Sequence, residues 1–502
     1  MKTLRYLFLL IVLVILLILP IGFASSQIGT DIQIELGING LVRIGRWNPI
    51  LVRVSTFGIP FKGEIVVDIK EGSMILENIR VTSLKTSVDL PIYSKKDILF
   101  LVPLSDMRYP VKVSIFSDDG RLIKTKDYEI KSLEMRWPII GLIGNNSLPY
   151  TQRDIRITML DPELISGKPF MIFDPLDLLI MESPPQGDMG ESIEKWRDWG
   201  GNVVVGEHRE FNLSSRADTY PGRIDFQNLV IDSLESEVIP LPSKGFISLI
   251  LFIYILLFVV VFYYVRRLFL LKILIAIILS LSFSIALFNI TSSSKLNSTV
   301  MTQFNLISNR GNNPFSVVYN GTAVFSPYSM SIRLSYEPYN TVFWVGGGRE
   351  KGIAKTTFVI SQNNQELSDI LLELSPDRKG ILRGWGIKRI GVNARLLKNG
   401  VLYIENDSPY LLKEVYLLTG GKYLYLGDIK RGETRFDIRR INLSTVKIEG
   451  DKGRFFSWAK NNDIISDKRD YIFGWIDDFS LLNTTEIHNK NSYTLYIMEM
   501  KR

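Results

Sequence analysis

Three rhythms of apolar and polar positions succeed one another along this chain. From Asp31 to about Leu133, short runs alternate, as in Asp31-Ile-Gln-Ile-Glu-Leu, Ile50-Leu-Val-Arg-Val and Gly63-Glu-Ile-Val-Val-Asp-Ile, with Gly, Pro, Asn and Ser between them. A period of two puts successive side chains on opposite faces of a strand, so the pattern predicts an immunoglobulin-like β-sandwich of about seven strands over 27–133. Within it, Val111-Lys-Val-Ser-Ile-Phe followed by Ser117-Asp-Asp-Gly120 predicts a hairpin arm and its turn.

Between Trp137 and about Pro240 the runs become continuous: Pro138-Ile-Ile-Gly-Leu-Ile-Gly144 and Leu176-Asp-Leu-Leu-Ile-Met181. Strands covered on both faces read this way. Met189, Ile193, Trp196 and Trp199 are spaced as the apolar stripe of a helix, which Gly200-Gly201 ends before a strand Asn202-Val-Val-Val-Gly206. The segment 134–240 therefore predicts a β-α-β unit with a right-handed crossover.

Two blocks are almost purely apolar. In residues 1–26, Lys2 and Arg5 precede an unbroken run from Leu7 to Leu19, then Pro20 and the small-residue stretch Gly22-Phe23-Ala24-Ser25-Ser26, the order of a signal peptide. Phe246 to Ile290 carries Arg266, Arg267 and Lys272 as its only charges; as one helix it would measure about 67 Å, against a bilayer core of about 30 Å. It is expected to divide into transmembrane helices 246–264 and 268–290, with the three basic residues as topology determinants on the cytoplasmic side of the turn. A hairpin returns the chain to the side it left. Both large regions are then extracytoplasmic, and the protein is a multi-pass protein of the cell membrane.

After Thr291-Ser-Ser-Ser294 the alternating pattern returns and continues to the end, so 291–502 is expected to be an exported β-rich domain. Val401-Leu-Tyr-Ile-Glu-Asn, then Glu414-Val-Tyr-Leu-Leu, Thr419-Gly-Gly421 and Tyr423-Leu-Tyr-Leu-Gly427 form a strand and hairpin series. The fold class is accordingly a multi-domain α+β membrane protein: sandwich, α/β domain, two-helix transmembrane hairpin and β-rich tail.

The stretch Leu176-Asp-Leu-Leu-Ile-Met, the helix ending Trp196-Arg-Asp-Trp-Gly-Gly and the strand Asn202-Val-Val-Val-Gly resemble the core of class I glutamine amidotransferase-like domains. The resemblance implies a flavodoxin-like fold, found also in the exported domain of uncharacterised bacterial membrane proteins of similar layout. Active relatives carry a nucleophilic cysteine at a strand end. Here Val205-Gly206 is followed by Glu207-His208-Arg209 and the chain has no cysteine, so that catalytic residue is not carried over.

Composition narrows the chemistry further. Among 502 residues there are no cysteines and two histidines, His208 and His488, so disulfides, thiolate catalysis and cysteine-ligated metals are excluded; no metal or cofactor is expected. The formal charge of +7 is modest and no long basic run occurs, which argues against a nucleic-acid partner. Open α/β sheets bind ligands at the carboxyl ends of their strands, which makes Asp161, Glu182, Ser183, Glu207 and His208 a possible pocket. Gly346-Gly-Gly348 lacks a following Lys-Ser/Thr and reads as a loop. Asn-x-Ser/Thr sequons include Asn297, Asn320 and Asn442.

The function these features favour is a non-catalytic membrane-anchored scaffold or receptor subunit, with the lipid bilayer and another envelope protein or a ligand as partners. The alternatives are a hydrolase or transferase working at the strand-end pocket, and a glycan-binding module presenting Trp344, Trp385, Trp458 and Trp475.

Overall fold

A computed structural model describes residues 29–71, 80–104, 109–129, 137–144, 155–206, 226–237, 244–264, 269–293, 299–309, 315–337, 340–345, 356–360, 367–374, 378–397, 399–441, 448–466, 468–487 and 489–500. The chain forms two compact units, Met1–Tyr220 with Thr357–Asp369, and Pro221–Thr356 with Ile370–Arg502. The expected signal peptide, Glu207, His208, Arg266, Arg267, Asn297, Gly346–Gly348, Asn442 and His488 lie outside the described residues.

The first unit begins with β1 (Gly29–Leu36), β2 (Trp47–Phe57), β3 (Phe61–Glu71), β4 (Arg80–Leu90), β5 (Lys95–Pro103), β6 (Val111–Ser117) and β7 (Leu122–Tyr128). One antiparallel sheet has the order β1-β2-β5, and β4-β3-β6-β7 run side by side in another. The alternation read from the sequence sets their faces. Ile50, Val52, Val54, Ile98 and Phe100 of the first sheet and Ile65, Val67, Val113 and Ile115 of the second are fully buried, as the inner faces of a sandwich are. The β6–β7 hairpin turns at Gly120, whose φ of 79° suits a residue without a Cβ.

Next come β8 (Ile139–Ile143), β9 (Arg156–Met159), the short helix α1 (Pro162–Ile165), a 3₁₀ turn at Phe170–Phe173, β10 (Leu178–Met181), α2 (Gly187–Asp198) and β11 (Val203–Val205). The four strands are all parallel, in the order β11-β10-β8-β9. Ile140, Leu142, Leu178 and Ile180 form one buried cluster with Ile155 and Val204 against it. After α2 the amide of Gly201 donates to the carbonyl of Trp196 at 2.8 Å, and a Cβ on Gly201 would stand 2.2 Å from the Trp196 ring. The glycine pair therefore ends the helix and also admits the indole.

This corrects the expected flavodoxin-like, amidotransferase-like domain. The protein is mostly strand, in several sheets, and its parallel sheet is small, with strands of three to five residues. Continuous apolar runs report burial on two faces, but they do not say what supplies the cover. Here the 3₁₀ turn Phe170–Phe173 packs on β2 of the sandwich.

The second unit contains α3 (Gln227–Glu237), α4 (Lys244–Tyr264), α5 (Phe269–Ser293), β12 (Val300–Asn309), β13 (Phe315–Ser326), β14 (Met330–Tyr336) and β15 (Thr341–Val345). In chain order there follow β16 (Thr356–Val359), which belongs largely to the first unit, and β17 (Ser368–Leu374). Then come β18 (Arg378–Arg389), β19 (Val392–Leu396), β20 (Val401–Asn406), β21 (Leu412–Thr419), β22 (Lys422–Ile429), β23 (Gly432–Asp437), α6 (Gly450–Asn461), β24 (Tyr471–Ile476) and β25 (Asn489–Glu499). An eight-stranded sheet has the order β15-β18-β13-β12-β25-β24-β21-β22, and β19-β20-β23 make a smaller one. Phe226, just before α3, stacks on Trp458 of α6 at 4.5 Å between ring centroids, and Phe304 of β12 meets Phe455 of α6 at 5.0 Å. In the first unit β16 is paired beside β4: the Ile360 amide donates to the Lys85 carbonyl at 2.7 Å, and Thr86 Oγ1 donates to the Ile360 carbonyl at 2.8 Å.

The block 246–290 forms α4 and α5. Tyr254 stacks on Phe283 with centroids 4.4 Å apart, and its hydroxyl lies 2.8 Å from Ser280 Oγ. Phe252, Ile255, Ile277 and Leu281 are exposed. Among the described residues no helix is long and apolar enough to cross a membrane. The expected transmembrane hairpin, and the multi-pass cell-membrane localisation that rested on it, are corrected to an apolar helix pair that includes Lys272 in α5.

Candidate functional site

Two surface features of the first unit stand out, a cleft and a cluster of loop tips. The cleft follows from which side of β1-β2-β5 faces the sandwich. Ile50, Val52 and Ile98 point inward, so the cross-strand rows Glu35–Leu51–Leu99 and Arg53–Asp97 point out. The segment from Met159 to Phe173 covers that outer face incompletely and leaves a cleft of about 280 Å³, just below the usual size of small-molecule sites. Leu51, Leu99, Ile172 and Phe173 make its apolar walls, while Glu35, Asp97, Asp161 and Lys168 supply charge.

A largely buried ionic cluster ties the segment before β2 to the start of β10. The irregular segment between β1 and β2 carries Arg43 and Arg46; Arg46 pairs with Asp177 at 3.1 Å and Arg43 pairs with the same carboxylate. Arg46 Nη1 also donates to the carbonyl of Leu176 at 3.0 Å, and Arg43 Nη1 to that of Trp137 at 3.2 Å. The Asp177 carboxylate accepts from the Ile139 amide at 2.9 Å. Fully buried Asp174 accepts from the Trp47 amide at 2.9 Å and from Trp199 Nε1 at 3.2 Å. Burial pulls the Arg43 guanidinium below its ordinary pKa, and Asp177 opposes that shift. Desolvated charges are tolerated where the ion pairing and hydrogen bonding are this extensive. The sequence reading missed the cluster. Its one signal was the pair Asp174-Pro-Leu-Asp177 placed directly before an apolar strand.

On the cleft wall, Arg53 Nε and Nη2 donate to the two oxygens of Asp97 at 2.9 and 3.0 Å. This paired guanidinium holds the Asp97 carboxyl below its usual range, partly offset by burial.

Of the five residues expected to line a strand-end pocket, Asp161 lines the cleft. Glu182 and Ser183 are exposed beyond β10, with Glu182 beside Gly144 at the end of β8. Among the described residues no group of acidic and histidine side chains is placed to hold a metal. The tryptophan row is also redistributed: Trp344, Trp385 and Trp475 are buried, and half-buried Trp458 is stacked on Phe226. The sequon Asn320 is buried in β13, donating to Asn305 Oδ1 at 2.7 Å and accepting from Thr322 Oγ1 at 2.8 Å, so a glycan has no room there.

The second feature lies at one end of the sandwich. The Thr56 amide donates to the carbonyl of Ser94 at 2.9 Å, and Thr56 Oγ1 to that of Pro91 at 2.7 Å, which ties the β4–β5 loop to the end of β2. Phe61 pairs with Leu90, and the Asp118 amide donates to the carbonyl of Lys62 at 3.2 Å, bringing the β2–β3 and β6–β7 turns to the same end. Tyr93 is 78 % exposed, Phe57 57 %, Ile92 49 % and Ile59 48 %. Tyr93 has φ of 54°, a left-handed backbone unusual for a bulky residue.

Residues 29–131, the span of the sandwich, match a family described as Domain of unknown function (DUF8726). Residues 392–501, from β19 to the end of β25, match one described as Domain of unknown function (DUF8725). No curated protein matches. A cycloisomaltooligosaccharide glucanotransferase of Paenibacillus sp. complexed with cycloisomaltoheptaose is similar at 10 % identity over 30 % of this chain and 20 % of its own, with a TM-score of 0.15. The yeast delta-COP-I mu-homology domain complexed with a Dsl1 WxWxV peptide is similar at 8 % identity over 41 % of this chain and 96 % of its own, with a TM-score of 0.19. Neither likeness bears on the fold or function of this chain.

Proposed function

We propose that this chain is a non-catalytic scaffold or receptor subunit that binds another protein through the loop end of its N-terminal sandwich. The observation that carries the reading is Tyr93, a large exposed aromatic in a left-handed conformation. Such a conformation costs roughly 1–2 kcal/mol in a residue with a Cβ. Strain of this kind persists where a side chain is held for a purpose. Around it Phe57, Ile59 and Ile92 offer an apolar contact area, and aromatic anchors of this type dominate protein interfaces. Loops gathered at the end of a sandwich are the usual place for recognition, because the sheets hold them while leaving their side chains free to vary.

The test is co-purification of partners with the full chain, compared with the variants Tyr93→Asp and Ile59→Asp. A partner retained by the unaltered chain should be lost from both variants at unchanged melting temperature. Retention of every partner by both variants would sink the reading.

A further inference from the structure

The smaller sheet of the second unit, β19-β20-β23, ends on β23, and among the described residues no strand pairs with the outer edge of β23. Alternate residues of such an edge turn amide and carbonyl away from the sheet, a template for one more strand. Bulges and prolines are common guards of an edge. β23 has neither: Gly432 to Asp437 oppose Asn406 to Val401 of β20 in unbroken register. It carries charge instead, and the order of the charges decides what can dock there.

The stretch Arg431-Gly-Glu-Thr-Arg-Phe-Asp437 is complementary to itself. In an antiparallel pair related by a two-fold axis, one residue lies opposite its own copy and its neighbours pair in mirror order. With Thr434 on the axis, Glu433 stands opposite Arg435 of the second copy, Arg431 opposite Asp437 and Gly432 opposite Phe436. Each of these pairs occurs twice. Opposite charges facing each other across a ladder stabilise it, and like charges do the reverse.

The rows already present in the sheet fit the same docking. Glu433 lies opposite Glu405 of β20, while Arg435 lies opposite Tyr403, itself opposite Arg395 of β19. An acidic row and a basic row therefore reach the edge side by side. Glu433 gains little from its own strand, because its contact with Arg435 is 3.9 Å long and both side chains are about two-thirds exposed. The Arg435 guanidinium lies 4.9 Å from the centroid of the Tyr403 ring. Edge-to-edge docking continues the acidic row of one copy into the basic row of the other, twice. Asp437 already accepts from Arg440 at 3.1 Å, so the two central Glu433–Arg435 pairs carry most of the preference.

We propose that two copies of this chain associate through β23, antiparallel about Thr434, and join their three-stranded sheets into one sheet of six. The surface lies in the second unit, so the proposal stands or falls separately from the loop-tip reading. A ladder of seven residues a side falls short of the about 20–30 a side in stable interfaces, which makes the dimer reversible and sensitive to salt.

The chain has no cysteine, so Thr434→Cys introduces a single thiol at the position that meets its own copy. Directly opposed residues come within the Cα separation of about 4.4–6.8 Å that a disulfide spans. Oxidation of this full-length variant with copper–phenanthroline should give a disulfide-linked dimer on a non-reducing gel, and Lys422→Cys, exposed on β22, should not. In the Thr434→Cys background, Glu433→Arg or Arg435→Glu alone should lower the yield about fivefold or more, because attractive pairs become repulsive. An equimolar mixture of the two should recover it, since the arginines of one then face the glutamates of the other, and that recovery also shows both chains folded. If either single variant is unfolded by circular dichroism, the exchange Glu433→Arg, Arg435→Glu, which keeps the complementarity, takes its place and should cross-link like the parent, with a yield that falls as salt rises. A yield from Thr434→Cys no higher than that from Lys422→Cys would overturn the proposal. Cross-linking indifferent to the charge changes and to salt would overturn the register, and with it the dimer as drawn.

Discussion

Arg46 and Asp177 form an ion pair of 3.1 Å between the segment that precedes β2 of the sandwich and the start of the parallel sheet. The side chains are 10 % and 13 % exposed, and the same carboxylate also pairs with Arg43. One largely buried carboxylate therefore pairs with two guanidinium groups and ties the segment before β2 to the parallel sheet.

Asp177→Ala should consequently cost far more than the loss of a surface ion pair. Removing one partner of a buried pair leaves uncompensated charge, at about 3–5 kcal/mol. Urea unfolding monitored in the first unit should show a destabilisation of that size. A loss below about 1 kcal/mol would mean that water reaches both arginines.

Tyr93→Gly separates the local strain from the exposed surface. Glycine adopts positive φ without the Cβ penalty, so the variant should be about 1 kcal/mol more stable than the unaltered chain, minus the entropy glycine brings to the unfolded state. The same variant should lose partner binding. Thermal melts beside co-purification measure both effects, and a destabilised Tyr93→Gly would show that the tyrosine ring supports the loop.

Asp97 makes stability depend on acid. Its folded pKa is depressed, with Arg53 as the largest cause, so the pair stabilises the fold above the unfolded carboxyl value of about 3.9 and ceases to do so as pH falls through the lower folded value. Asp97→Asn should therefore be less stable than the unaltered chain at pH 7, and the gap should shrink as pH falls through the lowered folded value. Melting temperatures across pH 2.5–7 give the comparison. A gap that persists undiminished at the acid end would assign the loss to packing instead of charge.

Gly321→Ala probes the seat of α3 on β13. A Cβ there would stand 2.5 Å from Cβ of Phe226 and 2.8 Å from Cγ2 of Val230. Overpacking of this kind costs typically about 1–3 kcal/mol. Denaturant titration of the second unit should report it, while Gly420→Ala, at an open turn with φ of 54°, should show backbone strain without a clash.

Much of the local structure was legible along the chain. Alternation in Ile50–Val54 and Gly63–Ile69 determined which side chains face inward, because a strand has a strict period of two. Asp119-Gly120 determined a turn, Gly200-Gly201 a helix end, and the absence of cysteine ruled out thiolate chemistry wherever the chain folds. Tertiary structure alone decided the rest. Arg46 and Asp174 look like ordinary solvated charges in sequence, and their burial depends on partners far along the chain. Asn320 reads as a glycan acceptor until neighbouring strands enclose it and bond it to Asn305. The apolar run 246–290 was enough to determine helices, but what lies against them is not written in hydropathy. The cleft and the loop-tip surface both arise from segments brought together by sheet pairing, so their charge and shape exist only once those distant strands meet.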